Sequence, residues 1–211
     1  MLGANDGLVS TASLVLGVAA ASTSKTAIVT AGIAGMVAGA LSMAAGEYVS
    51  VSSQRDSEDA DLRLEARELA GDPPGELREL AGIYERRGLT PDLAKEVAVA
   101  LSSGGALEAH ARDELGLDEK RRARPLQAAW ASALSFSAGA ILPLVAIGVS
   151  RASVQAVVCV VVTLLALAVL GDTGARLGGA PRLRATLRVL AWGAAAMAVT
   201  AAIGALVGTA V

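Results

Sequence analysis

Aromatic residues are scarce, with one Phe, two Trp and two Tyr making up 2% of 211 residues. The apolar bulk therefore falls to Ala, Val, Leu and Gly, small side chains that let helices approach closely in lipid. A single cysteine, Cys159, excludes a disulfide framework. It sits in an apolar run and reads as a small buried hydrophobe. There is no basic surplus: the formal net charge is −2, and no nucleic-acid partner is expected. No cleavable signal peptide is expected either, because the N-terminus has no basic stretch and the first apolar segment carries Asp6. The chain starts almost inside that segment, which leads us to expect a further segment upstream of Met1.

What the chain has is apolar length. It is 54% hydrophobic, with a mean hydropathy of +0.55, more apolar than a soluble domain of this size. Five segments approach the ~20 residues needed to cross a bilayer: Leu2–Ala21, Thr26–Val49, Leu126–Val149, Ala152–Leu170 and Val189–Val211. All the acidic residues except Asp6, Glu47 and Asp172 fall between Val51 and Arg124, where they outnumber the bases. The expected fold is all-α: an integral membrane protein with five transmembrane helices and an inserted three-helix domain. Its boundaries are residues 1–50 for the first two spans, 51–124 for the insert and 125–211 for the last three.

Basic residues predict the orientation. The short loops carry one each, Lys25 and Arg151. The junction before the third span carries Lys120, Arg121, Arg122 and Arg124, and the link before the fifth carries Arg176, Arg182, Arg184 and Arg188. With five spans the rich sides agree. The N-terminus and insert are then cytoplasmic and the C-terminus outside, in the cell's plasma (inner) membrane.

In the insert, Ser57–Ala70 continues the second span without Gly or Pro, and Gly71-Asp72-Pro73-Pro74-Gly75 is expected to stop it. A second helix, Glu76–Arg87, ends at Gly88. Thr90 and Pro91 open a third, as N-cap and first-turn proline. Gly104-Gly105 is expected to break it before Leu107–Leu115, with Gly116 as the stop. Apolar residues are few, so the three helices form a small bundle that a second subunit would support.

Several groups could carry chemistry. Glu65 and Glu68 lie three apart on one helix face, and Glu76 and Glu79 repeat the spacing on the next helix. Four converging carboxylates suit a hard or borderline divalent cation; an exposed acidic face merely solvated by water is the bland alternative. His110 and Glu114 are four apart and could add nitrogen and oxygen ligands, although a lone surface histidine is commonly incidental. Asp6 is an ionisable group in a membrane segment, which suggests an ion path or else an interfacial cap. Met43 and Glu47 share one face of the second span; a thioether beside a carboxylate suits a borderline transition metal, whereas packing and snorkelling are the alternatives. Gly32, Gly35 and Gly39 line one side of the same span, as a packing face or a dimer seam.

The strings NDGLVSTASLVLGV, AGIAGMVAGALSMAAGEYVSVSSQRD, ELRELAGIYERRGLTPDLAKEVA and EAHARDELGLD together resemble the vacuolar iron transporter family, in order and over nearly the whole chain. The resemblance implies five transmembrane helices, a cytoplasmic three-helix metal-binding domain between the second and third, and a homodimer with its pore at the interface. It implies export of ferrous iron, often also manganese, from the cytoplasm in exchange for protons. The metal ion is then cargo, with no prosthetic group. Asp6 and Met43 would line the path, with Glu47 added for its place one turn from Met43. The family's glutamates fall on Glu65, Glu68, Glu76, Glu79 and Glu114. Two departures stand out. His110 occupies a place where plant members put a methionine, and the first span is shortened, so that Asp6 lies near the end of its helix. A membrane-anchored metal-binding or storage module that does not transport is the alternative function. A ferroxidase is a third, weakened by the lack of a second Glu-x-x-His motif.

Overall fold

The computed structural model describes residues 2–117 and 122–210. Among them are seven helices and no strand: α1 (Leu2–Ala21), α2 (Lys25–Gly71), α3 (Pro73–Arg86), α4 (Pro91–Asp113), α5 (Pro125–Val149), α6 (Gln155–Leu177) and α7 (Arg182–Ala210). Five of these, α1, α2, α5, α6 and α7, are long and apolar enough to cross a membrane. The protein is an all-α, multi-pass membrane protein. Lys120 and Arg121 of the expected basic junction lie outside the described residues. Arg122 pairs with Asp59 at 2.6 Å.

The chain divides into two compact units, Met1–Tyr48 with Leu126–Val211, and Val49–Pro125. In the first, α1 contributes Ala12, Val15 and Leu16 to a core shared with Ile28, Ala146, Ile147, Cys159 and Met197. Cys159 is a buried free thiol, as its apolar context predicts. Bare backbone permits this packing. A side chain at Gly7 would strike the Phe136 carbonyl, one at Gly139 the Ala4 carbonyl, and one at Gly204 the backbone of Gly17. Close approach of this kind supplies the dispersion contacts that hold helices together in lipid. Gly32, Gly35 and Gly39 of α2 receive Leu144 with Val15, Leu14, and the Phe136 ring respectively, so these glycines serve packing within the chain.

In the second unit, α3 and α4 enclose Leu80, Ala81, Ile83, Ala98 and Ala109, flanked by Leu77, Tyr84 and Leu101. Several helix ends differ from expectation. α3 begins at Pro73 rather than Glu76, because prolines in a first turn lack an N–H that has no intrahelical partner anyway. Asp72 caps it, its Oδ1 accepting from the Gly75 N–H at 2.9 Å. Thr90 stands at the N-cap of α4 but makes no side-chain capping bond. α4 runs from Pro91 to Asp113, yet it is interrupted where expected: Gly105 has φ 149°, a conformation that a side chain would disfavour. α6 runs to Leu177 and α7 starts at Arg182, so the arginine link expected between the last two spans is mostly helical. Hydropathy ends where charge begins, but backbone hydrogen bonding continues past it. Gly179, at φ 65°, makes the turn between them.

Candidate metal centre

The acidic cluster belongs to the second unit. Its four contributors arrive on three helices. Glu65 lies on the polar half of α2, well past the last apolar turn. Glu76 lies in the first turn of α3, set by the Asp72 cap. His110 and Glu114 follow the Gly105 interruption at the end of α4. Ala109 and His110 are buried with the apolar cluster, which turns the imidazole inward.

That end of α4 is tied to α3. The Tyr84 hydroxyl donates to Asp113 Oδ2 at 2.8 Å, and Arg87 donates to Asp113 Oδ1 at 2.7 Å and to its carbonyl at 3.0 Å. Arg112 Nη2 adds a bond to Asp113 Oδ2 at 2.7 Å. Burial would raise the Asp113 carboxyl, but bonds from Arg112, Arg87 and Tyr84 outweigh it and hold the group at about 2. Asp113 escapes sequence reasoning, although its place three residues after His110 was a signal.

Four of the expected ligands come together. Ligand atoms of Glu65, Glu76 and His110 all lie within 4.8 Å of one another. His110 Nδ1 is 2.8 Å from Glu65 Oε1, 2.9 Å from Glu114 Oε2 and 3.8 Å from Glu76 Oε2. The His110 side chain is 0% exposed and that of Glu65 3%; Glu114 is the most open, at 28%. Glu68 and Glu79 are exposed. They act on the cluster through charge, Glu68 on both Glu65 and Glu76, and Glu79 on Glu76.

The hydrogen bonding is incomplete. One Nδ1–H serves one carboxylate, and its geometry favours Glu114. Among the described residues, Glu65 Oε1 is buried beside the ring with no hydrogen-bond donor, and His110 Nε2 is likewise unpartnered. Two carboxylates against one imidazole nitrogen, the buried Glu65 and the more open Glu114, call for an added proton or a cation. Burial, then the Glu114 carboxylate, pushes the Glu65 carboxyl up to about 7, with His110 opposing and Glu76 and Glu68 adding. Burial and Glu79 raise Glu76 as well. A carboxyl poised near neutrality, as at Glu65, exchanges its proton for a divalent ion readily.

In the membrane unit, Asp6 and Met43 line one groove of about 240 Å³. Ser10, Thr11 and Ser42 share its wall with Phe136; none of these hydroxyls was singled out from sequence, though Ser10 is one turn from Asp6 and Ser42 adjoins Met43. Ser10 bonds back to the Asp6 carbonyl at 2.6 Å. Glu47 is exposed and is not among the residues lining this groove.

The profile of the VIT family matches residues 1–205. The chain belongs to the VIT family. A vacuolar iron transporter of Acanthamoeba castellanii is 43% identical over 205 residues, 97% of this chain and 76% of its own length. Vacuolar iron transporter homolog 2 of Arabidopsis thaliana is 39% identical over 209 residues, 99% of this chain and 82% of its own. VIT-like transporter 1b of Glycine max is 35% identical over 209 residues, 99% and 74% of the two lengths. Membership in the VIT family puts the chain among transporters, not enzymes, so the ferroxidase reading is set aside.

Proposed function

We infer that this VIT-family protein carries ferrous iron, and manganese with it, out of the cytoplasm across the plasma (inner) membrane in exchange for protons, working as a homodimer. The observation that carries this reading is the buried Glu65 carboxylate, 2.8 Å from His110 Nδ1 and, among the described residues, with no donor to its Oε1. An oxygen-rich set with one imidazole suits divalent ions at the borderline between hard and soft. The relatives named as iron transporters support iron as the cargo.

In this scheme the insert is cytoplasmic. Glu65, Glu76, His110 and Glu114 gather the ion there, with Glu68 and Glu79 adding negative potential. The Glu65 carboxyl gives up its proton as metal arrives and recovers it as metal leaves, which supplies the chemistry of exchange. Asp6 and Met43 receive the ion in the membrane, an oxygen and a thioether replacing part of its water shell. The N-terminus is cytoplasmic and the C-terminus outside.

Reconstituted protein tests this reading. In liposomes with an acidic lumen, iron(II) or manganese(II) enters and the lumen turns alkaline in proportion. Flux without proton movement removes the exchange step; absence of flux with intact metal binding favours the anchored metal-binding module.

A further inference from the structure

Where α6 ends and α7 begins, the protein carries charge that metal handling does not use. The Asp172 carboxylate is shared by two guanidiniums: Oδ1 accepts from Arg182 Nε at 2.6 Å, and Oδ2 faces Arg176 Nε at 2.8 Å. One positive charge is left over, and Arg184 and Arg188 add two more along α7. Arg176, in the last turn of α6, suits that helix's dipole, but the arginines at the start of α7 do not serve theirs. Cations at an N-terminal end oppose the helix macrodipole, and the first turn of α7 has no acidic residue. Nor does this charge fill the interior, since the Arg176 and Arg182 side chains are 61% and 55% exposed. Loop bias toward basic residues accounts for arginines in this stretch, but not for two of them converging on one side of a groove.

That groove is open and measures about 770 Å³. Arg176, Arg182 and Asp172 form its polar wall, and Ala168, Val169 and Leu183 its apolar one. Close packing holds it in shape: a Cβ on Gly171 would lie 3.0 Å from the Thr186 Cα. The groove therefore combines guanidiniums with apolar side chains, at the ends of two membrane spans. A phospholipid has the same division.

We propose that this groove binds an anionic phospholipid, its phosphate on Arg176 and Arg182 and its acyl chain along Ala168, Val169 and Leu183. Arg182 commits Nε and Nη2 to Asp172 and Arg176 its Nε, which leaves each guanidinium further donors in a planar fork that matches phosphate oxygens. Asp172 is then a competitor. It holds the arginines together while the groove is empty and repels the phosphate when lipid arrives. The site is separate from the metal route and does not depend on which face of the membrane it occupies.

The test uses the full-length protein in a nonionic detergent, titrated with short-chain phosphatidylglycerol, short-chain phosphatidylcholine and inorganic phosphate. Thermal unfolding and native mass spectrometry read the binding. Phosphatidylglycerol binds and raises the melting temperature; the other two do not. The pair Arg176→Gln with Arg182→Gln weakens phosphatidylglycerol by roughly tenfold or more, while Arg176→Lys with Arg182→Lys retains part of the affinity. Asp172→Asn strengthens binding, the opposite sign to a merely structural ion pair. Arg151→Gln, in the loop between α5 and α6, leaves it unchanged. A phosphatidylcholine shift of equal size, a shift reproduced by inorganic phosphate, or binding weakened as much by Asp172→Asn or Arg151→Gln as by the glutamine pair overturns the lipid site.

Discussion

Glu65 Oε1 lies 2.8 Å from His110 Nδ1 while both side chains are almost fully buried, 45 residues apart along the chain. A carboxylate so placed, with no donor to its Oε1 among the described residues, is a poor choice for stability and a good one for capturing a cation. Replacing it with its neutral isostere separates the two roles. Glu65→Gln lowers iron(II) or manganese(II) affinity by roughly 100-fold or more, since even groups one shell out from a metal cost 10–100-fold. The metal-free fold keeps or gains stability, because a buried acidic group has been removed. Calorimetric titration and thermal unfolding of the same sample check both halves. Unchanged affinity removes Glu65 from the ligand set.

The same carboxyl predicts how pH acts. Burial and the Glu114 charge raise it from 4.5 to about 7, so folding favours its protonated form. That contribution is complete below pH 4.5 and is lost as pH rises through about 7; Glu76 shifts in the same direction. Asp113 has the opposite sign, its contribution present above 3.8 and lost as pH falls through about 2. Between pH 4.5 and about 7 the metal-free protein loses stability as pH rises, and Glu65→Gln flattens the loss. Metal affinity climbs over the same window, by up to about tenfold per pH unit for each proton displaced. Melting curves with and without manganese(II) across this range read both slopes. Parallel slopes in wild type and variant contradict the assignment.

The tie between α3 and α4 predicts a graded loss. Tyr84→Phe removes one hydrogen bond to Asp113 and costs about 0.5–1.5 kcal/mol, near the upper end because the acceptor is charged. Asp113→Ala releases Tyr84, Arg87 and Arg112 together and costs more. Both loosen the helix that carries His110, so metal affinity falls along with stability. Affinity unchanged by Asp113→Ala means that the ring is held by the apolar cluster alone.

Much of this architecture is legible in the residues, and the gaps have physical causes. The apolar runs mark five membrane helices, and α1 has the expected bounds. The end of α6 and the start of α7 are not marked, because hydropathy stops at charged residues such as Asp172 and Arg188 while helical hydrogen bonding does not. His110 and Glu114 meet because helix geometry alone brings residues four apart together. Spacing cannot tell Glu65 from Glu68, which share a helix face. Packing against α3 and α4 buries the first and leaves the second in water. Asp113 belongs to a tie made across 29 positions, beyond the reach of local periodicity.

Glycines in the membrane unit separate close contact from open space. A side chain at Gly7 or Gly139 would meet backbone on the facing helix, while nothing lies within 4 Å of one at Gly46. Backbone cannot swing aside as a flexible side chain can. Gly7→Ala and Gly139→Ala therefore destabilise the unit by about 1–3 kcal/mol, and Gly46→Ala is neutral or slightly favourable, since alanine is the better helix former. Thermal unfolding in detergent ranks them. Equal effects at all three positions would mean that α1 and α5 are not in tight contact.

The groove in the membrane unit makes the sharpest distinction among the residues expected to carry an ion. Asp6 and Met43 line it together, one offering a charged oxygen and the other a soft sulfur. Glu47 is one helical turn from Met43, yet it is exposed and does not line that space. Asp6→Ala and Met43→Ala reduce the initial rate of iron(II) uptake into liposomes by roughly 10–100-fold, the range seen when groups supporting a metal are lost. Glu47→Gln leaves the rate close to wild type. Metal binding at the Glu65–His110 cluster persists in all three variants, because the cluster belongs to the other unit and shares no side chain with the groove. A Met43→Ala protein that transports normally leaves the thioether with packing alone. A Glu47→Gln protein that fails moves the ion's route onto a face of α2 away from the groove, where a second copy of the chain would have to complete it.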